Sequence, residues 1–276
     1  MRLEATAPAA DPAGAYEAYQ AWPEETASAA AACLHAAVRR PPPRRCLFLG
    51  TATGVNDVLP FARRADPADR IVAGDIVPAC LDRLRERAAR EGLRNVEVRV
   101  LDVRRDLEGQ GTFDLVTLFF VIHRIAEWRA VAAPLAGCVA EGGSLFVTEF
   151  AGPGGILYLS NERGGTGQDP VSRLIRRYFE LLPEPFAPPL KSTWIGPFRE
   201  LLARFLRSAE TRDVVWPQRL TVGDMYARIA ARAYAPYFGT RASPALLERL
   251  RTEFAPEWER EVAFQEKIRL YRFVRP

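Results

Sequence analysis

Lysine, histidine and cysteine are all scarce in this chain, and each shortage closes off a chemistry. Only two histidines occur, His35 and His123, and the four cysteines (Cys33, Cys46, Cys80, Cys138) lie far apart with no CxxC pair. A zinc site needs several clustered N or S ligands, so no metal is expected, and the thiols read as buried and free in a reducing cytoplasm. The basic residues are nearly all arginine, with only Lys191 and Lys267 as lysines, and they are spread along the chain rather than massed in one stripe. A net charge of +4 distributed in this way gives little reason to expect a nucleic-acid partner. No run of 18 uncharged apolar residues is present, which excludes a helical membrane span. The opening MRLEATAPAADPAG has no basic stretch leading into an apolar one, so it reads as a flexible lead-in rather than a signal peptide. A cytoplasmic protein is expected.

What the chain does have is apolar residues, 48% of 276, enough for one large domain or one domain with an elaboration. Residues 16–40 read as helical, ending before Pro41. An alternation then begins: RCLFLG (45–50) as a buried strand, a short helix at 55–64, RIVAGD (70–75) as a strand, and a helix with Pro78 in its first turn and Gly92 at its end. NVEVRVLD (95–102), FDLVTLFF (113–120) and SLFVTEF (144–150) read as further strands, with a helical stretch near 126–140. Strands alternating with helices imply an α/β domain with a mostly parallel sheet covered on both faces. After residue 150 the rhythm breaks into a Gly-rich loop. VSRLIRRYFELL and PFRELLARFL then carry apolar helical stripes, helices follow near 221–233 and 243–254, and EVAFQEKIRLYRFV closes the chain as a strand. The expected division is an N-terminal helical lid segment (1–43), a core (44–150), a helical insertion (151–209) and a C-terminal completion of the core (210–276).

The stretch FLGTATGVND (48–57) poses the functional question. Gly50 and Ala52 match the first two small positions of a dinucleotide fingerprint, but the sixth is Val55 and the next glycine is Gly54, a spacing that disfavours NAD or FAD. No GK[ST] follows, which excludes a P-loop. Asp75 and Asp102 end the second and third strands at the sheet's carboxyl edge. There the first can accept both ribose hydroxyls and the second an adenine amino group. Phe119 and Phe120 follow, suited to an adenine face or a sulfonium cation. Acids and aromatics without converging cations describe a site for adenosine carrying positive charge rather than phosphate.

LFLGTATG, AGDIVPACL, VLDV, FDLVTLFFVIHRI and AEGGSLFVTE, in that order, resemble the motifs of the class I S-adenosylmethionine (SAM)-dependent methyltransferases over residues 44–150. The resemblance implies a Rossmann-like doubly wound sheet with a helical insertion after strand five, and SAM as cofactor. It places the cofactor on Gly50, Thr51, Ala52, Gly54, Asp75, Ile76, Asp102, Val103, Phe119 and Phe120. Two departures stand out. The family's acid two residues before the first glycine is Phe48 here, and its middle glycine is Ala52, whose methyl holds a ligand away or shifts the turn.

Methyl transfer mainly requires alignment and, for a protonated nucleophile, a base. His123 after strand four and Glu149 at the end of strand five are the catalytic candidates, each with a structural alternative as a loop tie or a cap. Tyr16, Tyr19 and Trp22 read as a lid over the cofactor or as ordinary packing; Tyr158, Ser160 and Asn161 read as pocket lining or as plain loop. His35 reads as structural, and Arg173, Arg176 and Arg177 as a solvated helix face. The expected function is SAM-dependent methylation of a small molecule in a specialised bacterial pathway. A nucleic-acid substrate is disfavoured because no N/D-P-P-Y/F motif follows strand four. Phe48 and Ala52 also motivate a different SAM chemistry, cyclisation or aminocarboxypropyl transfer releasing methylthioadenosine. A non-catalytic SAM-binding subunit is the third reading.

Overall fold

The computed structural model describes residues 11, 13–14, 16–17, 21–122, 125, 127–150, 168–182, 195–233 and 243–276. At its centre lies a seven-stranded sheet ordered β3-β2-β1-β4-β5-β7-β6. The strands are β1 (Arg45–Leu49), β2 (Arg70–Asp75), β3 (Val96–Val100), β4 (Phe113–Phe119), β5 (Val139–Phe150), β6 (Arg207–Thr221) and β7 (Glu261–Val274). The first five run parallel, with Cys46 level with both Ile71 and Leu115, and β7 runs antiparallel between β5 and β6. Every residue of β4 is buried, Asp114 and Thr117 included, as expected of a mostly apolar strand covered on both faces. Chain order reverses between β1 and β4. The crevice at the carboxyl ends of these two strands is where such sheets bind ligands.

Helix α1 (Glu24–Ala37) packs Ala27, Ala30, Ala31, Leu34 and Ala37 as one buried stripe, small enough to lie close on the sheet. Helix α2 (Val58–Ala62) is a short buried connection, and α3 (Pro78–Arg90) buries Cys80, Leu81, Leu84 and Ala88 while starting on the expected proline. Helix α4 (Trp128–Gly137) leads into β5.

The C-terminal half differs from the expected division in one respect. Residues 207–221 form a 15-residue strand where none was expected, paired with β7 from Arg207↔Val274 to Thr221↔Glu261. Since β5 engages β7 only from Ile268 to Val274, half of the antiparallel β6–β7 pair projects past the sheet. Around that projection a second apolar core forms. Leu220 shares it with Leu174, Ile175 and Tyr178 of α5 (Pro170–Leu181), Met225 and Ile229 of α7 (Val222–Ala233), and Leu247 and Leu250 of α8 (Pro244–Phe254). Helix α6 (Ile195–Leu202) belongs instead to the main core, its Phe198 set edge-on to Trp128 at 6.0 Å. A boundary at residue 209 therefore does not separate the two cores: α5 and α6 carry similar stripes but bury them in different places.

Candidate functional site

Three alternate positions of the β1–α2 turn adopt left-handed backbone: Gly50 at φ 75°, Ala52 at 48° and Gly54 at 72°. At Gly50 a Cβ would fall 1.9 Å from Val121 Cγ2 and 2.8 Å from the Phe119 carbonyl oxygen, so only glycine lets the turn lie against the exit of β4. At Gly54 it would meet Leu84 of α3 at 2.5 Å. Ala52 accepts the same conformation with a side chain, a local strain of about 1–2 kcal/mol. Its N–H donates to Asp75 Oδ2 at 2.8 Å, while Val77 N–H donates to Oδ1 at 3.0 Å, so the acid ending β2 fastens the turn to the next connection.

Beside this half-buried carboxylate, Ile76 is 49% exposed, an unusual position for a large apolar side chain in the middle of a sheet edge. A hydrogen-bonding acid next to an uncovered apolar surface fits an adenosine, whose ribose and base need one of each. Val103, by contrast, is buried at 6% exposure. Asp102 has a partner the sequence reading did not foresee. The backbone N–H of Arg104 reaches it at 3.0 Å, and the guanidinium grips both carboxylate oxygens, with Nη2 at 2.5 Å from Oδ2. Arg104 holds the Asp102 carboxyl below the usual carboxylate range. An adenine amino group would share this acid with an arginine.

Sequence reasoning also passed over Asp57. The residue is 2% exposed, and its Oδ1 takes the Thr51 hydroxyl at 2.8 Å and the Val58 N–H at 2.6 Å. Burial pushes its carboxyl up to about 7, with the nearby Asp75 adding to the effect. Nothing in the local pattern signals this, because an Asp before a short helix normally reads as a cap.

Phe119 is buried at the end of β4, and Phe120 follows with φ 50°, its N–H on Thr148 Oγ1 at 3.2 Å and its ring edge-on to Phe119 at 5.8 Å. Trp22 joins both phenylalanines and Trp216 of β6 at ring separations of 5.9–6.1 Å. The backbone N–H of Trp22 donates to Asn56 Oδ1, whose amide donates to the Tyr16 hydroxyl at 3.1 Å. Tyr16 packs against Ala52, Ala13 and Cys80. Glu17 and Asp11 are held by Arg87 and Arg83 of α3. The structure therefore brings the N-terminal segment across the turn.

Glu149 follows Thr148 at the end of β5, with its side chain engaged by β7. It is 1% exposed and accepts the Tyr271 hydroxyl at 2.5 Å, under a guanidinium of α6, with Arg199 4.0 Å over the Tyr271 ring. Burial, and then Glu149, push the Tyr271 phenol up to about 12. His35 stacks on Phe61 at 3.9 Å with its Nε2 2.9 Å from the Phe61 carbonyl oxygen, and burial lowers its pKa. Arg173 is bonded to Glu257, and Arg177 to Glu253 and Glu180. His123, Tyr19, Tyr158, Ser160 and Asn161 lie outside the described residues.

Residues 47–143 match the model of a methyltransferase domain family. A demethylmenaquinone methyltransferase of Thermus thermophilus is 34% identical over 113 residues, 40% of this chain and 49% of that protein. The chain thus spans about half the length of the curated relative it matches. Among solved structures, the [4+2]-cyclase SpnF is similar over 94% of this chain and 84% of its own, with a TM-score of 0.57 and 14% identity. A coclaurine N-methyltransferase, solved with N-methylheliamine and S-adenosylhomocysteine, is similar over 90% of this chain and 72% of its own, with a TM-score of 0.53 and 13% identity. One is named for a cyclisation and the other for a methylation, so these two likenesses speak for the fold alone.

Proposed function

We propose, from the match of residues 47–143 to a methyltransferase domain family, that this chain transfers the methyl group of SAM to a small-molecule acceptor. The observation that carries the reading is the turn from Gly50 to Gly54 fastened by Asp75 beside the exposed Ile76, at the point where strand order reverses. Gly50, Thr51, Ala52 and Gly54 would hold the methionyl end, Asp75 the ribose, and Ile76 with Asp102 the adenine. When bound, SAM supplies a methyl carbon already activated by its sulfonium.

The chain's own contribution is alignment and dryness. Phe119, Phe120, Trp22 and Trp216 form an aromatic wall at the exit of β4, which excludes water and favours a cationic ligand by cation–π attraction. His123 follows that wall in sequence and is the residue we assign to receive an acceptor's proton. Glu149, buried on Tyr271, orients the β5–β7 side of the site instead of acting as a base. Arg173 and Arg177 of α5 are engaged by glutamates, which fits a solvated helix face better than a nucleic-acid contact.

A second reading, consumption of SAM without an external acceptor, rests on Phe48 and Ala52. Incubating the purified protein with SAM alone and then with candidate small-molecule acceptors separates the two. S-adenosylhomocysteine appearing only with an acceptor supports methyl transfer. Enzymatic methylthioadenosine without one would overturn it.

A further inference from the structure

The acid that ordinarily precedes such a turn is absent, and Phe48 in its place is fully buried against Phe61 at 5.0 Å. A ligand carrying an ammonium and a sulfonium would then meet a turn without its own negative charge. The structure supplies one from the other side. Asp57, three residues past Gly54, turns its carboxylate back onto Thr51 in the middle of the turn instead of forward over its helix: Oδ1 takes the Thr51 hydroxyl and the Val58 N–H, whereas an ordinary cap takes the N–H of the second or third helical residue. Its Oδ2 is buried and has no hydrogen-bond partner. Enclosing a carboxylate with one oxygen unsatisfied is costly, and the cost is relieved either by a proton or by a nearby cation.

We propose that Asp57 replaces the acid missing at Phe48, positioning the turn through Thr51 and providing the negative charge that favours the cationic methionyl end of SAM. The inference rests on the SAM-binding reading above. The charged group acting on Asp57 is Asp75 from the end of β2, which raises its pKa further. The turn and α2 bring no ionisable side chain, Tyr16 places a phenol on Asn56, and the neighbouring Glu17 is held by Arg87. With its carboxyl pushed up to about 7, Asp57 exchanges its proton for the ligand's charge near neutrality. SAM affinity should therefore rise as pH rises through that value.

The test is calorimetric titration of the full chain with SAM and with S-adenosylhomocysteine at pH 6 and pH 8, for the wild type and Asp57→Asn. The ligand's own amino group titrates identically against both proteins, so the ratio of their affinities is the readout. At pH 8 the variant should bind SAM about tenfold more weakly, the low end of a charged contact. At pH 6, where the wild type holds a proton, the gap should narrow. Equal affinities at both pH values overturn the inference while leaving the SAM site standing. A wild type that binds neither ligand overturns both. Should Asp57→Asn fail to fold, carbon-13 NMR of the wild-type carboxyls decides. The Asp57 titration should fall by about one pH unit when SAM is added, the linkage equivalent of tenfold, and an unmoved titration overturns the inference.

Discussion

At Ala52 and Asp57 the turn carries two local penalties. Ala52 sits at φ 48°, a conformation that disfavours a Cβ, and Ala52→Gly should relieve it. After allowing for glycine's greater freedom in the unfolded chain, the gain should be about 0.5–1 kcal/mol in urea unfolding. A loss of stability would mean that the methyl's packing against Tyr16, Ala13 and Cys80 outweighs the strain. Asp57 is the larger penalty. In the unfolded chain its carboxyl titrates near 3.8 and in the folded one near 7, so over that window the native state keeps a proton that the unfolded chain has released. Stability therefore falls as pH rises from about 4 to 7 and is level above. Asp57→Asn, which cannot ionise, should be more stable than the wild type at pH 8. Between pH 5 and pH 8 the gap should widen by about 2–3 kcal/mol in urea titrations, and parallel values at the two pH values would refute the assignment. A residue that weakens the fold while strengthening ligand binding is expected of a site and not of a scaffold. The places of Asp75 at a strand end and of the glycines in a tight turn were legible in the sequence, because an apolar run and small residues mark them. The Arg104 grip on Asp102 and the burial of Asp57 were not, since both depend on where a side chain turns after the backbone is set.

Among the elements, the two amphipathic helices α5 and α6 illustrate the limit of periodicity. Each shows which face is buried, and neither shows against what. Leu174 of α5 is fully buried among residues of α7, α8 and the projecting end of β6, so Leu174→Ala should open a cavity costing about 2–5 kcal/mol. Because that core shares no buried residue with the one around the sheet, the damage should be local. Hydrogen exchange should quicken in α5, α7 and α8 while β1, β4 and β5 keep their protection. Uniform loss across the sheet would show that the helical layer and the sheet unfold together. The parallel strands were readable from apolar runs bounded by turn residues. Strand β6 was not: RSAETRDVVWPQRLT is largely polar, contains Pro217, and alternates clearly only at Val214 and Trp216. It becomes a strand because β7 pairs with it along its whole length, a tertiary cause that no window of its own sequence contains.

For the whole molecule, the antiparallel β6–β7 pair is the member common to both cores, with Val214, Trp216, Ile268 and Leu270 in the first and Leu220 and Val262 in the second. The residues proposed for the cofactor sit at the strand ends of the first: Gly50, Ala52 and Gly54 follow β1, Asp75 ends β2, and Phe119 closes β4. This division makes the response to a ligand uneven. A compound that binds only the folded sheet stabilises it by mass action, by about 2.7 kcal/mol at a free concentration of one hundred times Kd. The helical layer touches none of those residues through its buried core and gains only what the β6–β7 pair transmits. Thermal unfolding should therefore resolve two steps, the helical layer melting first and the sheet second. S-adenosylhomocysteine at saturating concentration should raise the second midpoint by several degrees and leave the first nearly where it was. For a sheet core of this size, about 2–4 °C per kcal/mol is the expected scale. A single transition that shifts as one would mean that the β6–β7 pair couples the two cores into one cooperative unit. In that case a ligand at the Gly50–Gly54 turn would be felt as far away as α8, and the helical layer would be part of the binding equilibrium instead of an appendage to it.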